Sequence, residues 1–120
     1  MARYRGLTLR VLGGAIAALG PGKAELVERI GRSGSISAAA REMGMSYRRA
    51  WQLVESLNDA FDEPVLTTAI GGTRGGGARV TPFGRRLVAR FRAMEEKASA
   101  AIAADLRYFA GHLRKRRQRS

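Results

Sequence analysis

The sequence predicts a mainly α fold with small β-hairpins, in which a short helical domain leads into one long C-terminal helix. Three observations carry this expectation: apolar residues at helical spacing in several stretches, branched residues flanking glycine-rich turns at two places, and a long apolar stripe that begins after Thr81-Pro82. The chain has 120 residues, of which 45% are apolar, enough for the core of one domain.

The elements follow in chain order. Leu7, Leu9 and Val11 alternate with Thr8 and Arg10, the period of a strand. Gly13-Gly14 offers a turn and Ala15 to Leu19 a returning strand, so a hairpin is expected over 7–19. Gly20-Pro21-Gly22 breaks the chain before a helix over 22–30, whose Ala24, Leu26, Val27 and Ile30 share one stripe, with Gly31 as its end. Ser33-Gly34-Ser35 is a turn or cap, and 35–43 is a short alanine-rich helix that a neighbour can approach closely. Gly44-Met45 is a tight connection, and Ser46 suits the N-cap of a helix over 46–61. Ala50, Leu53 or Val54, Leu57 and Phe61 mark its inner side; Arg48, Arg49, Gln52 and Ser56 lie on the other. Val65 to Ile70 reads as a strand, residues 71–77 hold five glycines with Thr73 and Arg74, and Ala78-Arg79-Val80 returns, a hairpin over 65–80. Thr81 is an N-cap with Pro82 at the first helical position of a helix over 82–113, and residues 114–120 form a basic tail.

Helix, short helix, tight turn, polar-faced helix and glycine-rich hairpin are the ingredients of a winged helix-turn-helix, assigned to residues 1–81. In that plan the helix over 46–61 presents its N-terminal turn to the major groove. Ser46, Tyr47, Arg48, Arg49 and Gln52 are the expected contacts: Arg matches guanine, Gln matches adenine, and the hydroxyls suit phosphate. Arg74 at the wing tip and Arg79 on its arm suit a minor groove or a phosphate. Ser35 and Ser37 either cap the shorter helix or join the contacts, and Trp51 either packs inward or stacks on a base. Glu42, Glu55 and Asp59 lie near this surface and are expected to turn away from the DNA backbone. The glycine-rich hairpin is not a nucleotide-phosphate loop, because no adjoining lysine and hydroxyl pair follows the glycines.

Charge agrees with a polyanionic partner: 22 Lys and Arg against 10 Asp and Glu give +12. An arginine- and alanine-rich coding bias would give the same composition. The absence of cysteine excludes disulfides and thiolate chemistry, and the lone His112 excludes a histidine metal cluster within one chain. Glu25, Glu28, Asp62 and Glu63 have no partner set for acid–base work, and the serines have no base, so neither an enzyme nor a cofactor is expected. No apolar run spans a membrane and no clear signal peptide opens the chain, which leads to a cytoplasmic, nucleoid-associated expectation.

The stripe after Pro82 is longer than one small domain needs. Two such helices crossing between subunits would bury Leu87, Phe91, Met94, Ala98, Ile102, Leu106 and Phe109, and a homodimer matches the two-fold logic of operator half-sites. The alternative is that the helix folds back over its own N-terminal hairpin.

Two runs carry a family resemblance: Gly34-Ser35-Ile36-Ser37-Ala38-Ala39-Ala40-Arg41-Glu42-Met43-Gly44-Met45-Ser46-Tyr47-Arg48-Arg49-Ala50-Trp51, and the glycines from Gly71 on through Ala78-Arg79-Val80-Thr81-Pro82-Phe83-Gly84. They resemble the DNA-binding domain of the molybdate-responsive transcriptional regulators, the ModE family, and more distantly that of LysR-type regulators. The resemblance implies a dimer through the long helix, a palindromic operator in double-stranded DNA, and the helix with Ser46, Tyr47, Arg48 and Arg49 in the major groove. Members of that family commonly regulate molybdate transport and molybdenum-enzyme genes, through C-terminal β-barrel modules that would lie beyond Leu113. With the chain ending at Ser120, the expectation is a short single-domain member without those modules. The function expected is a sequence-specific dimeric transcriptional regulator. A non-specific architectural DNA-binding protein and a protein-interaction module are the alternatives.

Overall fold

The structure, a computed structural model, describes residues 6–14, 16–68 and 77–114. The expected wing tip with Arg74 and the tail from 115 onward lie outside the described residues. The elements are β1 (Val11–Gly13), β2 (Ile16–Leu19), α1 (Pro21–Ser33), α2 (Ile36–Met43), α3 (Tyr47–Ala60), β3 (Leu66–Thr68), β4 (Ala78–Val80), α4 (Pro82–Ala101) and α5 (Ala103–His112). The fold is mainly helical with two small antiparallel hairpins, β1 with β2 and β3 with β4.

Local chemistry sets the helix ends. Pro21 starts α1, and Gly34 rather than Gly31 ends it, at φ 71° with its N–H donating to the Ile30 carbonyl. Gly44 ends α2 in the same left-handed conformation, also at φ 71°. Glycine is the residue that occupies this region without a Cβ penalty, so these two positions fix where each helix stops. Ser35, Ser46 and Thr81 each place a side-chain oxygen on the third backbone N–H of the helix that follows, at 3.0, 3.0 and 2.9 Å.

The core lies between α1, α2, α3, the base of the second hairpin and the first half of α4. Leu26, Val27, Ile30, Val54, Leu57, Val65, Leu66 and Phe91 fill it, and among the described residues no polar or charged side chain is buried there. Asn58 ties α3 to β3: its Oδ1 accepts from the Val65 and Leu66 N–H at 2.8 and 3.1 Å, and its Nδ2 donates to the Leu66 carbonyl at 2.9 Å. The turn into α4 closes on the same strand. Thr81 N–H donates to the Val65 carbonyl at 3.0 Å, and Thr81 Oγ1 donates to the Pro64 carbonyl at 2.7 Å.

Three expectations change. The first hairpin pairs only Val11–Gly13 with Ile16–Leu19, so Leu7 and Leu9 stand outside the ladder although Leu9 still packs on the core. The long helix is interrupted at Ile102, between α4 and α5, with no proline or glycine to mark the break. Phe91, expected in a seam between subunits, is 1% exposed inside its own protomer, because α4 lays Gly84, Val88 and Phe91 against the core before continuing outward. A helical stripe reports that a face is apolar and not whose core it meets.

Candidate nucleic-acid interface

The α2–Gly44-Met45–α3 unit is a helix-turn-helix held from within by alanine. Ala39, Ala40 and Ala50 are fully or almost fully buried where the two helices meet, and Met45 N–H donates to the Ala40 carbonyl at 3.0 Å. Ala50, Val54 and Leu57 turn one side of α3 inward. The opposite side follows from the helical repeat: Arg48, Gln52, Glu55 and Asp59 recur at steps of four, three and four, and all are exposed. That face is basic and amide-bearing in its first half and acidic in its second. Its N-terminal half is therefore the part suited to a phosphate-lined groove.

The expected contacts other than Arg74 take definite places. Arg48, Arg49 and Gln52 are exposed on α3, and Tyr47 is 50% exposed. Tyr47 meets Trp51 edge to face at 6.2 Å, and Trp51 is half-buried against the core. The Ser35 and Ser46 oxygens are engaged as caps, which leaves each hydroxyl proton free to donate outward. Ser37 is exposed on the first turn of α2. Arg79 is exposed on β4 opposite Thr67. Ala78 N–H donates to the Gly34 carbonyl at 3.1 Å, which binds the arm carrying Arg79 to the start of α2. The N-terminus of α2 and the base of the hairpin thus form one continuous surface.

Beside this surface, one of its three carboxylates is neutralised, while Glu55 and Asp59 stay on the outer face of α3. Glu42 is taken up by Arg29, which pairs with it at 3.0 Å and with Glu25 at 2.8 Å. Both hydrogen bonds, the one to Glu42 foremost, hold the Arg29 pKa above its ordinary value. Lys23 donates to the Ala17 carbonyl at 2.8 Å and to Ser56 Oγ on α3 at 2.9 Å, joining β2, α1 and α3. Burial, and then the charge of Arg49, push the Lys23 pKa down. Sequence reasoning missed Lys23, Asn58 and Arg92. A lysine six residues from its carbonyl partner or an arginine 64 residues from its carboxylate leaves no local pattern, and neither does Asn58, which lies inside α3 and reaches backbone groups seven and eight residues on.

The fold and this surface define a winged helix-turn-helix DNA-binding domain. The family model described as bacterial regulatory helix-turn-helix protein, lysR family, matches residues 23–85, and the chain belongs to that family. It is 47% identical over 91 residues to the molybdenum-pterin-binding protein MopB of Rhodobacter capsulatus, covering 76% of this chain and 33% of that one. It is 39% identical over 85 residues to the molybdenum transport protein ModE of Azotobacter vinelandii, covering 71% of this chain and 32% of the relative. The DNA-binding transcriptional dual regulator ModE of Escherichia coli is 38% identical over 68 residues, 57% of this chain and 26% of its own length. The chain thus spans about a third or less of the curated relatives it matches. Among solved structures, that of ArgP from Mycobacterium tuberculosis shares the fold, with a TM-score of 0.50 and 23% identity over 72% of this chain and 30% of that one. Among the described residues no helix is long and apolar enough to cross a membrane.

Proposed function

We propose that this chain is a sequence-specific transcriptional regulator that binds a palindromic operator in duplex DNA as a homodimer. The observation that carries the proposal is the N-terminal half of the outer face of α3. Among the described residues, Arg48 and Gln52 make no side-chain hydrogen bond or ion pair within the chain, so their donors and acceptors are available for base edges. Ser35, Ser37, Ser46, Tyr47, Arg49 and Arg79 are the phosphate and groove contacts of this reading, and Arg74, outside the described residues, joins them on the sequence alone. The role is binding rather than catalysis, and its place is with the DNA, in the cytoplasm at the nucleoid.

Exposed apolar side chains support the dimer. Met94 is 39% exposed, Phe109 63% and Leu113 70%, more apolar surface than the outer half of one helix usually leaves in water. Leu87, Met94 and Ala98 run along one flank of α4, and Ile102, Leu106 and Phe109 extend beyond it. The relatives whose names carry molybdenum suggest genes of molybdenum metabolism as targets, with this stretch as the DNA reader and not the molybdate sensor.

The test is titration of a bound operator against random duplex, at several salt concentrations, with wild type, R48A and Q52A. Loss of one bidentate base contact costs about 1–3 kcal/mol, so each variant loses roughly 5- to 150-fold on the operator and little on random DNA. Near-equal affinity of the wild type for all duplexes, together with bending of the DNA, would favour the architectural reading that the +12 charge also allows. Sedimentation of the M94R/F109R variant reads the dimer separately, with a shift to monomer expected.

A further inference from the structure

A groove of about 1040 Å³ runs between α1, β4 and the first turns of α4, on a side of the domain that shares no residue with α3. Val27, Ile30, Val80 and Val88 form its apolar base, and Ala89 faces into it from α4. Arginines edge it: Arg32 from the end of α1, Arg79 from the wing arm, and Arg85 from the first turn of α4. Among the described residues no carboxylate pairs with any of these three, and Arg85 donates only to the Val80 carbonyl. The acidic residue that lines the groove, Glu28, is already bound by Arg92, which donates to both of its oxygens at 3.0 and 2.8 Å.

We propose that this groove is a docking site for an acidic amphipathic helix of a partner protein, its apolar side on Val80 and Ala89 and its carboxylates on Arg32 and Arg85, with Arg79 at the DNA-side rim left to the duplex. Charge selects the occupant. The segments of this chain outside the described residues, 1–5, 69–76 and 115–120, contain arginine or lysine and no aspartate or glutamate, so they are repelled. A second copy is directed elsewhere. Leu87, Met94 and Ala98 lie on the flank of α4 opposite Arg85, Ala89 and Arg92, so a dimer closed along that flank leaves the groove open. Apolar anchors at helical spacing in a groove with charged rims are a recurring mode of helix recognition. The placement would let a bound protein touch the wing and α1 while α3 stays on DNA.

The probe is a fluorescently labelled synthetic peptide with leucines at one helical face and glutamates elsewhere. The control is a peptide of the same composition with its order scrambled. Anisotropy titrations use the full chain, its R32E/R85E variant, and A89W, in which the indole occupies the groove. The proposal expects saturable binding of the amphipathic peptide, at least about tenfold tighter than the scrambled one, and a loss of about tenfold or more in each variant. Thermal melts confirm that the variants fold. In the wild type, methyl NMR shifts on peptide addition should centre on Val27, Ile30, Val80 and Val88. Equal binding of both peptides, unchanged affinity in A89W, or shifts centred on α3 would overturn the proposal. A loss of duplex-DNA affinity in R32E/R85E without loss of peptide specificity in A89W would also overturn it, assigning the arginines to the DNA backbone.

Discussion

Replacing Gly84 by alanine tests the packing at the start of α4. Gly84 is buried where the helix leaves the second hairpin. A Cβ there would overlap the Val65 carbonyl oxygen and lie 3.0 Å from Val80 Cγ1 and 3.1 Å from Val65 Cγ1. The oxygen it would displace accepts from Thr81 N at 3.0 Å and Thr81 Oγ1 at 3.1 Å, so the shift strains the cap of α4 as well. Overpacking of this kind costs about 1–3 kcal/mol, and weakening two hydrogen bonds adds about 1 kcal/mol or more. Against this stands the helix preference for alanine over glycine, about 1 kcal/mol. The net expectation is a loss of about 1–3 kcal/mol. For a chain of this size that lowers Tm by roughly 4–12 °C, read by circular dichroism. Gly111 is the internal control: a Cβ there meets nothing within 4 Å, so G111A leaves Tm unchanged or slightly higher. A G84A protein as stable as the wild type would refute the close approach of α4 to Val65.

Other perturbations have equally definite outcomes. Asn58→Ala removes the side chain that satisfies two N–H groups and one carbonyl at the start of β3, and urea denaturation should show a loss of about 2–3 kcal/mol. Glu28 is held below its ordinary carboxylate value of 4.5, foremost by its hydrogen bonds from Arg92. A depressed pKa contributes stability that is present above 4.5 and lost as pH falls through the lower folded value. Melts of E28Q between neutral and acid pH should accordingly show a shallower decline on the acid side than the wild type. Ser46→Ala removes the oxygen that accepts from Arg49 N, and should cost about 1 kcal/mol of stability while also weakening DNA binding.

How far the sequence discloses this molecule depends on whether the determining chemistry is local. Gly34 and Gly44, Ser35, Ser46, and Thr81-Pro82 act within a turn or two of themselves, so α2, α3 and the start of α4 are legible to within a residue or two. The outer face of α3 is legible for the same reason, since three- and four-residue steps from Arg48 need no tertiary knowledge. The destination of Phe91 is not, because an intramolecular core and an intersubunit seam ask for the same spacing of apolar residues. The lock between Arg92 and Glu28 joins residues far apart in the chain, and the steric need for Gly84 depends on where Val65 arrives after α3. The tight approach at Gly84 does explain why Thr81-Pro82-Phe83-Gly84 reads as a unit: cap, helix start and a position without a side chain meet one strand.

In the function proposed above, Arg48 and Gln52 on α3 read base sequence as half of a symmetric pair. Selection of bound duplexes from a random pool, at near-physiological salt, tests it most directly. The expected outcome is enrichment of an inverted repeat whose half-sites are centred about one helical turn, roughly 10 base pairs, or a multiple of it apart, and changed base preference within the half-sites for R48A and Q52A. A pool that stays random through selection, or an enriched motif that R48A and Q52A bind with unchanged preference, would contradict it.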